Sequence, residues 1–443
     1  MKPLFFIFSF CLTFLTSAQH YVKGQFTPPE DYKMAIIYRV TPKEAIYVAH
    51  DYIDEKGVFV IDLDSTVTSG MMRLVYGVPQ EENNFDFIYN GNENIEFNFN
   101  DETGVEFTKS TENQLMNAYT NSMGMVSQSI GMFYREQRQD SLTLETIFNT
   151  QRDTQNNFEK AAQGTIALNF IMANKPYIPN AYEDIQTYIS NLKTHYFDHV
   201  DFENLILQSS NFLTERVLNY VFGMANDQTI EYLIYQKNFD ELTLTLKDVD
   251  PELKIRLYEI VWQQMVDASY DSVAKHIAEN YLIQLAKSSN NEELIKKLEG
   301  FNRIAMGSKA PNFKLGSAVD ALTLHELNSA KLYVLVFWSS TCGHCLKEMP
   351  QLHKLIKESK LDITVVAVGL EDDEILWKSE TYNYPLFTHV LGLGKWDNAI
   401  GKLYNINATP EYFVLDKDKT IIAKPYDFEV FKAYLENEFN GQK

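Results

Sequence analysis

Cysteine is scarce in this chain, with only three among its 443 residues. Small exported domains that cannot build a sufficient core depend on many disulfides, so this chain does not belong to that class. Its composition, 45% hydrophobic and 22% charged residues, is that of ordinary globular proteins with apolar cores. The length predicts about two or three domains.

Basic residues are also few. Lysine and arginine total 39 against 60 aspartates and glutamates, which gives a formal net charge of −21. A protein that binds the phosphate backbone of a nucleic acid carries basic patches and the opposite balance of charge. We therefore predict no nucleic-acid partner.

Long apolar runs are absent except at the N-terminus. Lys2 supplies a positive charge, residues 4–15 are mostly apolar but too few to span a bilayer, and residues 16–18 are small. This pattern predicts a secretory signal peptide over residues 1–18, cleaved before Gln19, with a short membrane anchor as the alternative. The mature chain is then expected in the periplasm or elsewhere in the cell envelope, without a transmembrane segment.

Only two cysteines, Cys342 and Cys345, remain after removal of the segment that holds Cys11. A disulfide between them closes almost no loop and stabilises little through chain entropy, so its use must lie in being made and broken. A zinc site needs a second cysteine pair, which the chain lacks, and covalent haem attachment needs a histidine where Leu346 stands. We predict a redox-active dithiol, with no metal and no other cofactor.

The dithiol lies in a strand-turn-helix pattern. Residues 334–338 are typical of a buried strand, and residues 339–341 favour a turn or a helix N-cap. The apolar residues on one face of the following helix are Leu346, Met349 and Leu352. The first sulfur is therefore expected at a helix N-terminus, where unpaired N–H groups and the helix dipole favour a thiolate.

The segment Trp338–Pro350 resembles the active-site segment of thioredoxin-fold proteins. Together with the opening sequence Gly307–Phe313, it makes roughly the last third of the chain similar to the TlpA/ResA-like thiol–disulfide oxidoreductases of the bacterial periplasm. The resemblance implies an α/β thioredoxin fold over residues 304–443. A peroxidase is the closest alternative, because peroxiredoxins share the opening sequence, but Leu335 and Ser339 occupy the places of their proline and threonine.

The same resemblance implies further elements of that domain. A strand is expected at residues 363–369, a hairpin over 412–416 and 420–424, and a closing helix at 428–439. Residues 371–396 resemble an insertion that is typical of the subgroup.

The resemblance also implies roles for individual residues. Cys342 attacks a substrate disulfide, and Cys345, one helical turn later, resolves the mixed disulfide to give a Cys342–Cys345 disulfide. Glu348 lies on the same helix face, and similar proteins carry a carboxylate there that passes protons to and from the second cysteine. A solvated helix carboxylate is the alternative at Glu348.

Thr409-Pro410 matches the cis proline that faces the cysteine pair in this fold. A cis X–Pro bond turns the backbone of Thr409 outward, so that an extended substrate segment can pair with it. A trans proline at the start of a strand is the alternative.

Two further residues are predicted to shape the site. His344 gives the Cys-Gly-His-Cys sequence of protein disulfide isomerases, and a polar ring beside the thiolate favours the reduced form. The reduction potential is therefore expected nearer the isomerase value of about −180 mV than the thioredoxin value of about −270 mV. Thr341 stands where the family usually has tryptophan, which leaves Trp338 as the aromatic platform for a substrate.

Residues 19–110 show short strands separated by turn residues. They predict a small antiparallel sandwich or open barrel, similar to a β-domain of unassigned function that precedes thioredoxin domains in exported Bacteroidetes-type proteins. Strands are expected at 34–39, 45–50, 58–63, 71–75, 85–89, 95–99 and 105–108.

Residues 111–303 turn helical and predict an all-α middle domain, which is also similar to a domain family of unassigned function. Asp250 followed by Pro251 is a strong helix start. Other helices are expected at 112–138, 141–173, 182–196, 201–225, 227–236, 269–287 and 291–301.

Two functions are compatible with these patterns. The first is an exported thiol–disulfide oxidoreductase that reduces or isomerises protein disulfides and receives electrons from an envelope donor. The second is an envelope binding or scaffold protein whose thioredoxin domain is non-catalytic. The second is supported by the large part of the chain that has no assigned chemistry.

Overall fold

The computed structural model describes residues 20–224, 230–359 and 361–440. The predicted signal peptide lies outside the described residues. Internal packing divides the chain into two units, of which the first comprises residues up to 224 with 244–249, and the second residues 225–243 with 250–443. The predicted boundaries of the β, helical and thioredoxin domains stay predictions.

Residues 20–109 of the first unit form a β-sandwich. The strands are β1 (His20–Thr27), β2 (Met34–Val40), β3 (Ala45–Tyr52), β4 (Val58–Leu63), β5 (Gly70–Val75), β6 (Asn84–Tyr89), β7 (Ile95–Asn100) and β8 (Gly104–Lys109). Within this range one sheet has the order β4-β1-β7-β8 and the other the order β3-β2-β5-β6. Side chains from both sheets, among them Phe26, Phe59 and Phe87, fill one core.

Strand β1 is an addition to the strands expected from the sequence. It pairs antiparallel with β4 but parallel with β7, so the first sheet is not purely antiparallel as predicted. Its alternate residues Val22, Gly24 and Phe26 face the core. A Cβ atom at Gly24 would collide with the rings of Phe59 and Phe97. Only glycine fits there, and it interrupts the apolar alternation by which a strand is recognised.

Helices follow the sandwich in the first unit. They are α1 (Thr111–Arg135), α2 (Ser141–Ala161), α3 (Ala167–Ala173), α4 (Ile185–Thr194), α5 (Leu205–Gln208) and α6 (Phe212–Leu218). The prediction of one helix over residues 141–173 is wrong, because Gly164 takes a left-handed φ of +79° and the chain turns before α3. The prediction of one helix over 201–225 is also wrong, because Asn204 caps α5 and a turn separates it from α6.

The following helices are α7 (Glu231–Thr245), α8 (Pro251–Asp267), α9 (Asp271–Ile277), α10 (Ile283–Ser288) and α11 (Glu292–Ile304). The predicted start of α8 is confirmed, since the Asp250 side chain accepts hydrogen bonds from two backbone N–H groups of the first turn. The helix predicted from residue 269 begins only at Asp271, because Ser269 has a φ of +61°. The first part of the helix predicted at 227–236 lies outside the described residues.

The remainder of the second unit is built around one sheet with helices on both faces. Its strands are β9 (Leu332–Trp338), β10 (Ile363–Glu371), β11 (Thr388–Leu393), β12 (Glu411–Leu415) and β13 (Ile421–Ala423), in the order β11-β10-β9-β12-β13. Its helices are α12 (Gly343–Glu358), α13 (Ile375–Thr381), α14 (Ala399–Leu403) and α15 (Phe428–Asn440). β9, β10 and β11 are parallel to one another, whereas β12 pairs antiparallel with both of its neighbours, β9 and β13. The predicted hairpin and closing helix are confirmed.

Every residue of the central strand β9 is buried. Val334, Val336 and Trp338 pack with Met349 and Leu352 of α12. The alternate residues of β9 pack on the opposite face of the sheet. This burial on both faces explains the uninterrupted apolar sequence of the strand, and the helix that carries the cysteines is anchored on one of those faces.

The segment predicted as an insertion, residues 371–396, contains part of the sheet. Glu371 is the last residue of β10, and β11 pairs with β10 at the edge of the sheet. The strand expected at residues 363–369 continues to Glu371, which is buried. Among the described residues, no helix combines the length and the apolar character needed to span a bilayer.

Candidate active site

The strand-turn-helix element places Cys342 at the N-cap of α12, where the chain leaves β9. Its backbone N–H donates to the carbonyl oxygen of Ser339 at 3.1 Å, which closes the turn. Its carbonyl oxygen accepts from the N–H of Leu346 at 3.0 Å, which begins the helix. The Cys342 side chain is only half-buried, so a partner can reach its sulfur.

Cys345 lies in the first turn of α12 and has no exposed surface. Both cysteines are free thiols in this structure. The predicted Cys342–Cys345 disulfide therefore stays a prediction. What the structure does provide is a pair of thiols on one helical turn with opposite surroundings, one accessible and one enclosed.

The two thiols also differ in acidity. Burial acts to raise the pKa of Cys342, but hydrogen bonds from the backbone and thiol of Cys345, from the side chain of Thr409 and from the backbone of His344 outweigh it, so this pKa is lowered. Burial raises the pKa of Cys345 to about 12. The outer sulfur is therefore the better nucleophile at neutral pH, while the inner one stays protonated until a base removes its proton.

Thr409 and Pro410 lie beside the first sulfur. The peptide bond between them is cis, and the Cys342 Sγ donates to the carbonyl oxygen of Thr409 at 3.3 Å. β12 begins at Glu411 and pairs antiparallel with β9, which brings this distant segment to the turn. The structure thus brings the predicted Thr409 and Pro410 together with Cys342.

Glu348 lies one turn after Cys345 on α12 and is half-buried. Its Oε2 accepts hydrogen bonds from the hydroxyl of Tyr412 at 2.9 Å and from the backbone N–H of Phe428 at 3.0 Å. The carboxylate is therefore held between α12, β12 and the start of α15. Its predicted part in proton transfer stays a prediction.

The two residues expected to shape the site have opposite surroundings. His344, which lies between the two cysteines in the sequence, is exposed. Trp338 has no exposed surface, and its ring lies edge-on to Tyr384 with 6.0 Å between centroids. An enclosed indole cannot offer a face to a substrate, so the expected platform is corrected to a core residue. Successive side chains of a strand point to opposite faces, so Trp338 lies on the same face of β9 as Val336. The burial of Trp338 could therefore have been predicted from the sequence.

Glu371 is a site residue that sequence reasoning missed. It is 2% exposed, and its carboxylate accepts hydrogen bonds from the Ser340 backbone N–H at 2.6 Å and from the Ser339 and Ser340 hydroxyls at 3.1 Å each. The turn in front of Cys342 is therefore tied to the end of β10. The sequence signal that could have indicated such a residue is the pair Ser339 and Ser340, because hydroxyl groups that become buried need hydrogen-bond acceptors.

A metal centre was not expected from the sequence. In the ranges that the structure describes, no three histidine, cysteine, aspartate or glutamate side chains cluster so as to hold a metal ion. The assignment of the site as a dithiol without cofactor remains a prediction.

Comparisons with known proteins concern the C-terminal part of the chain. Residues 305–433 match the family model described as Redoxin. "Thioredoxin-like protein YneN" of Bacillus subtilis (strain 168) is 30% identical over 125 residues, which cover 27% of this chain and 69% of that protein. This chain belongs to the redoxin family of thioredoxin-like proteins.

Another relative of this redoxin is "Thiol-disulfide oxidoreductase ResA" of Bacillus cereus. It is 28% identical over 124 residues, which cover 28% of this chain and 70% of the relative. The redoxin-family chain is thus an enzyme of the thiol–disulfide oxidoreductase class, and its C-terminal domain has the thioredoxin-like fold.

Solved structures are also similar to this redoxin. One is a domain of a possible thiol-disulfide isomerase from Cytophaga hutchinsonii ATCC 33406, 30% identical, with a TM-score of 0.26, covering 31% of this chain and 94% of that one. Another is a thioredoxin-like protein from Bacteroides caccae ATCC 43185, 21% identical, with a TM-score of 0.39, covering 59% of this chain and 97% of that one.

Proposed function

We propose that this protein is an exported thiol–disulfide oxidoreductase that reduces or isomerises disulfides of protein substrates through Cys342 and Cys345. The observation that carries the proposal is the pairing of a half-buried thiol of lowered pKa with a fully buried thiol of raised pKa. Such a pair separates an attacking sulfur from a resolving sulfur.

The reaction begins when the Cys342 thiolate attacks one sulfur of a client disulfide. A bond forms between Cys342 and that sulfur, the client S–S bond breaks, and the other client sulfur leaves as a thiolate. Cys345 then gives its proton to Glu348, and its thiolate attacks the sulfur of Cys342. The client leaves as a dithiol after taking up protons, two electrons richer, and the enzyme holds a Cys342–Cys345 disulfide.

The oxidised enzyme needs a thiol donor to return to the dithiol. We propose that an envelope dithiol protein supplies these two electrons, in the same two exchange steps run in reverse. When the client disulfide is wrongly paired, the released client thiolate can instead attack another bond of the client, and the enzyme then acts as an isomerase without net electron transfer.

We assign client binding to the segment around Pro410. An extended client strand would pair with the backbone at Thr409, whose carbonyl oxygen lies 3.3 Å from the attacking sulfur. This proximity supports the assignment, because a strand held there has its own disulfide near Cys342. His344, which is exposed and lies between the two cysteines in the sequence, is the second residue assigned to the client surface.

The periplasm or another part of the cell envelope is the proposed location. The apolar stretch near Lys2 and the small residues before Gln19 support it. Oxidised clients are found in such compartments, whereas the cytosol keeps protein thiols reduced.

Insulin reduction by the purified protein, with a thiol donor, tests the proposal. Cys342→Ser is expected to reduce turnover to the rate without enzyme, because the one other thiol among the described residues, that of Cys345, is enclosed. Cys345→Ser is expected to accumulate mixed disulfides through Cys342, which mass spectrometry of trapped clients identifies. Turnover that persists in Cys342→Ser would refute this assignment.

The alternative of a binding or scaffold protein with a non-catalytic thioredoxin domain predicts different results. The first unit does contain a cleft of about 540 Å³, lined by aromatic and amide side chains such as Phe87, Phe107 and Asn117, which is the size of a small-ligand site. A binding role alone predicts no insulin reduction by the wild-type protein and no trapped clients with Cys345→Ser.

A further inference from the structure

Tyr412 is a buried residue of β12 that has no role in the proposed disulfide exchange steps. It lies two residues after Pro410, has no exposed surface, and belongs to the same core cluster as Cys345. Its ring is parallel to that of Phe431, with an interplanar angle of 5° and 6.0 Å between centroids. Its hydroxyl group donates to Oε2 of Glu348 at 2.9 Å.

We propose that Tyr412 is a positioning residue that orients the Glu348 carboxylate to take the proton of Cys345 during resolution of the mixed disulfide. This inference rests on the proposed function, and in particular on proton transfer to Glu348. Tyr412 itself gives up no proton in the step.

The need for an oriented base follows from the burial of Cys345. Its thiol must lose a proton before it can attack, and water cannot reach a sulfur with no exposed surface. Glu348 is three residues further along α12, a spacing that places two side chains on one helix face. A base within hydrogen-bond reach is effective only when its acceptor atom is correctly aimed.

Two hydrogen bonds fix the orientation of the Glu348 carboxylate. Both donors, the hydroxyl of Tyr412 and the backbone N–H of Phe428, reach the same atom, Oε2. They come from two different elements, so rotation of the carboxylate would break both. In the described part of the chain no hydrogen bond is made to the other oxygen, Oε1, which leaves that atom as the acceptor for the proton.

Tyr412 is suited to remain a donor. Burial raises its pKa, and the acidic groups that face it act in the same direction. These groups are Glu348 and Cys345 of α12 and Asp427 in front of α15. The hydroxyl therefore stays protonated at neutral pH and remains available as the donor to Oε2 of Glu348.

Tyr412→Phe removes only the hydroxyl group and keeps the ring on Phe431. The test uses the reduced mature protein and one equivalent of dithiobis(nitrobenzoate), followed by stopped-flow absorbance. Attack by Cys342 releases the first nitrothiobenzoate, and attack by Cys345 on the Cys342 sulfur releases the second and leaves the enzyme disulfide. The second phase reports the step that requires Glu348.

We expect Tyr412→Phe to slow the second phase about three- to tenfold at neutral pH and to change its pH profile, with the first phase within about twofold of wild type. In a Glu348→Gln background, the same tyrosine substitution is expected to add less than about twofold, because the residue acts through the carboxylate. A thermal unfolding midpoint close to wild type verifies that packing is retained.

Two results would overturn the inference. One is a second phase equal to wild type in Tyr412→Phe, and the other is an equal slowing by this substitution with and without Glu348. Failure of the proposed function is seen separately, as a wild-type protein without a second phase or a Glu348→Gln variant that resolves as fast as wild type.

Discussion

The carboxylate of Glu371 accepts a 2.6 Å hydrogen bond from the backbone N–H of Ser340. This bond links the end of β10 to the turn that follows the neighbouring strand β9. The other oxygen of the carboxylate accepts from the hydroxyls of Ser339 and Ser340. Because Glu371 is 2% exposed, water cannot replace it as acceptor. The position of Cys342 therefore depends on a residue about thirty positions further along the chain.

Glu371→Ala is expected to lower the free energy of unfolding by about 2 kcal/mol or more, because it leaves buried donors without an acceptor. Glu371→Gln is expected to cost less, since its amide oxygen still accepts from Ser340. Urea denaturation measures both. The exposed neighbour Glu374 supplies the control, whose alanine variant should lie within about 0.5 kcal/mol of wild type. Equal stability of all variants would mean that the turn holds without this carboxylate.

The thiol pKa values lead to a second prediction. The lowered pKa of Cys342 means that its thiolate persists to lower pH than an ordinary thiol, whose pKa is about 8.5. Cys345→Ala removes the thiol that donates to it, so the midpoint of its alkylation by iodoacetamide should move to higher pH and the rate at neutral pH should fall. Mass spectrometry locates the modified sulfur.

Cys345→Ser is the matched control for that experiment. Its hydroxyl group can still donate to Cys342, so the alkylation midpoint should lie between those of the wild type and the alanine variant. Identical midpoints in all three proteins would show that the inner thiol does not assist the outer one.

Most elements of the second unit could be predicted from the sequence, but little of the hydrogen-bond network around the dithiol could. The apolar run of β9, the N-cap position of Cys342 and the strand after Pro410 are local patterns, and each lies where it was expected. Glu371 and Tyr412 act through partners far along the chain, and no local pattern records such a pairing. The prediction that Trp338 is exposed to a substrate was wrong because an aromatic residue beside a site can belong either to the surface or to the core.

The same difference between local and distant information explains the errors in the first unit. Gly164 and the turn before Phe212 interrupt helices whose apolar spacing continues across them, so the periodicity suggested longer helices. β1 was missed because Gly24 accommodates aromatic rings from other strands. In both cases tertiary packing, which a single stretch of sequence does not contain, decided the outcome.

His344 is the basis of a third prediction. As an exposed polar side chain between the two cysteines of the sequence, it is expected to favour the reduced dithiol. His344→Pro should therefore shift the reduction potential from the region of about −180 mV towards the thioredoxin value of about −270 mV. Equilibration with glutathione buffers, read by gel shift of alkylated thiols, measures the change. A potential of the wild type below the thioredoxin value would contradict the assigned role.

Glu411, which directly follows Pro410, gives a pH-dependent prediction. Burial raises the pKa of its carboxyl group to about 7, although Lys424 opposes the shift. Lys424 is itself 2.7 Å from Asp271, and so it is not available to Glu411 alone. Between about pH 4 and pH 7 the folded protein therefore holds a proton that the unfolded chain has released.

Because the folded state binds more protons in that window, the free energy of unfolding should fall as the pH rises through it. Glu411→Gln removes the ionisable group, so at about pH 8 the variant should be more stable than wild type by about 1 kcal/mol or more, and at about pH 4 the difference should vanish. Urea denaturation at both pH values measures the effect, with the exposed Glu429→Gln as control. A Glu411→Gln variant whose stability parallels that of wild type at both pH values would show that this carboxyl group is not held neutral by the fold.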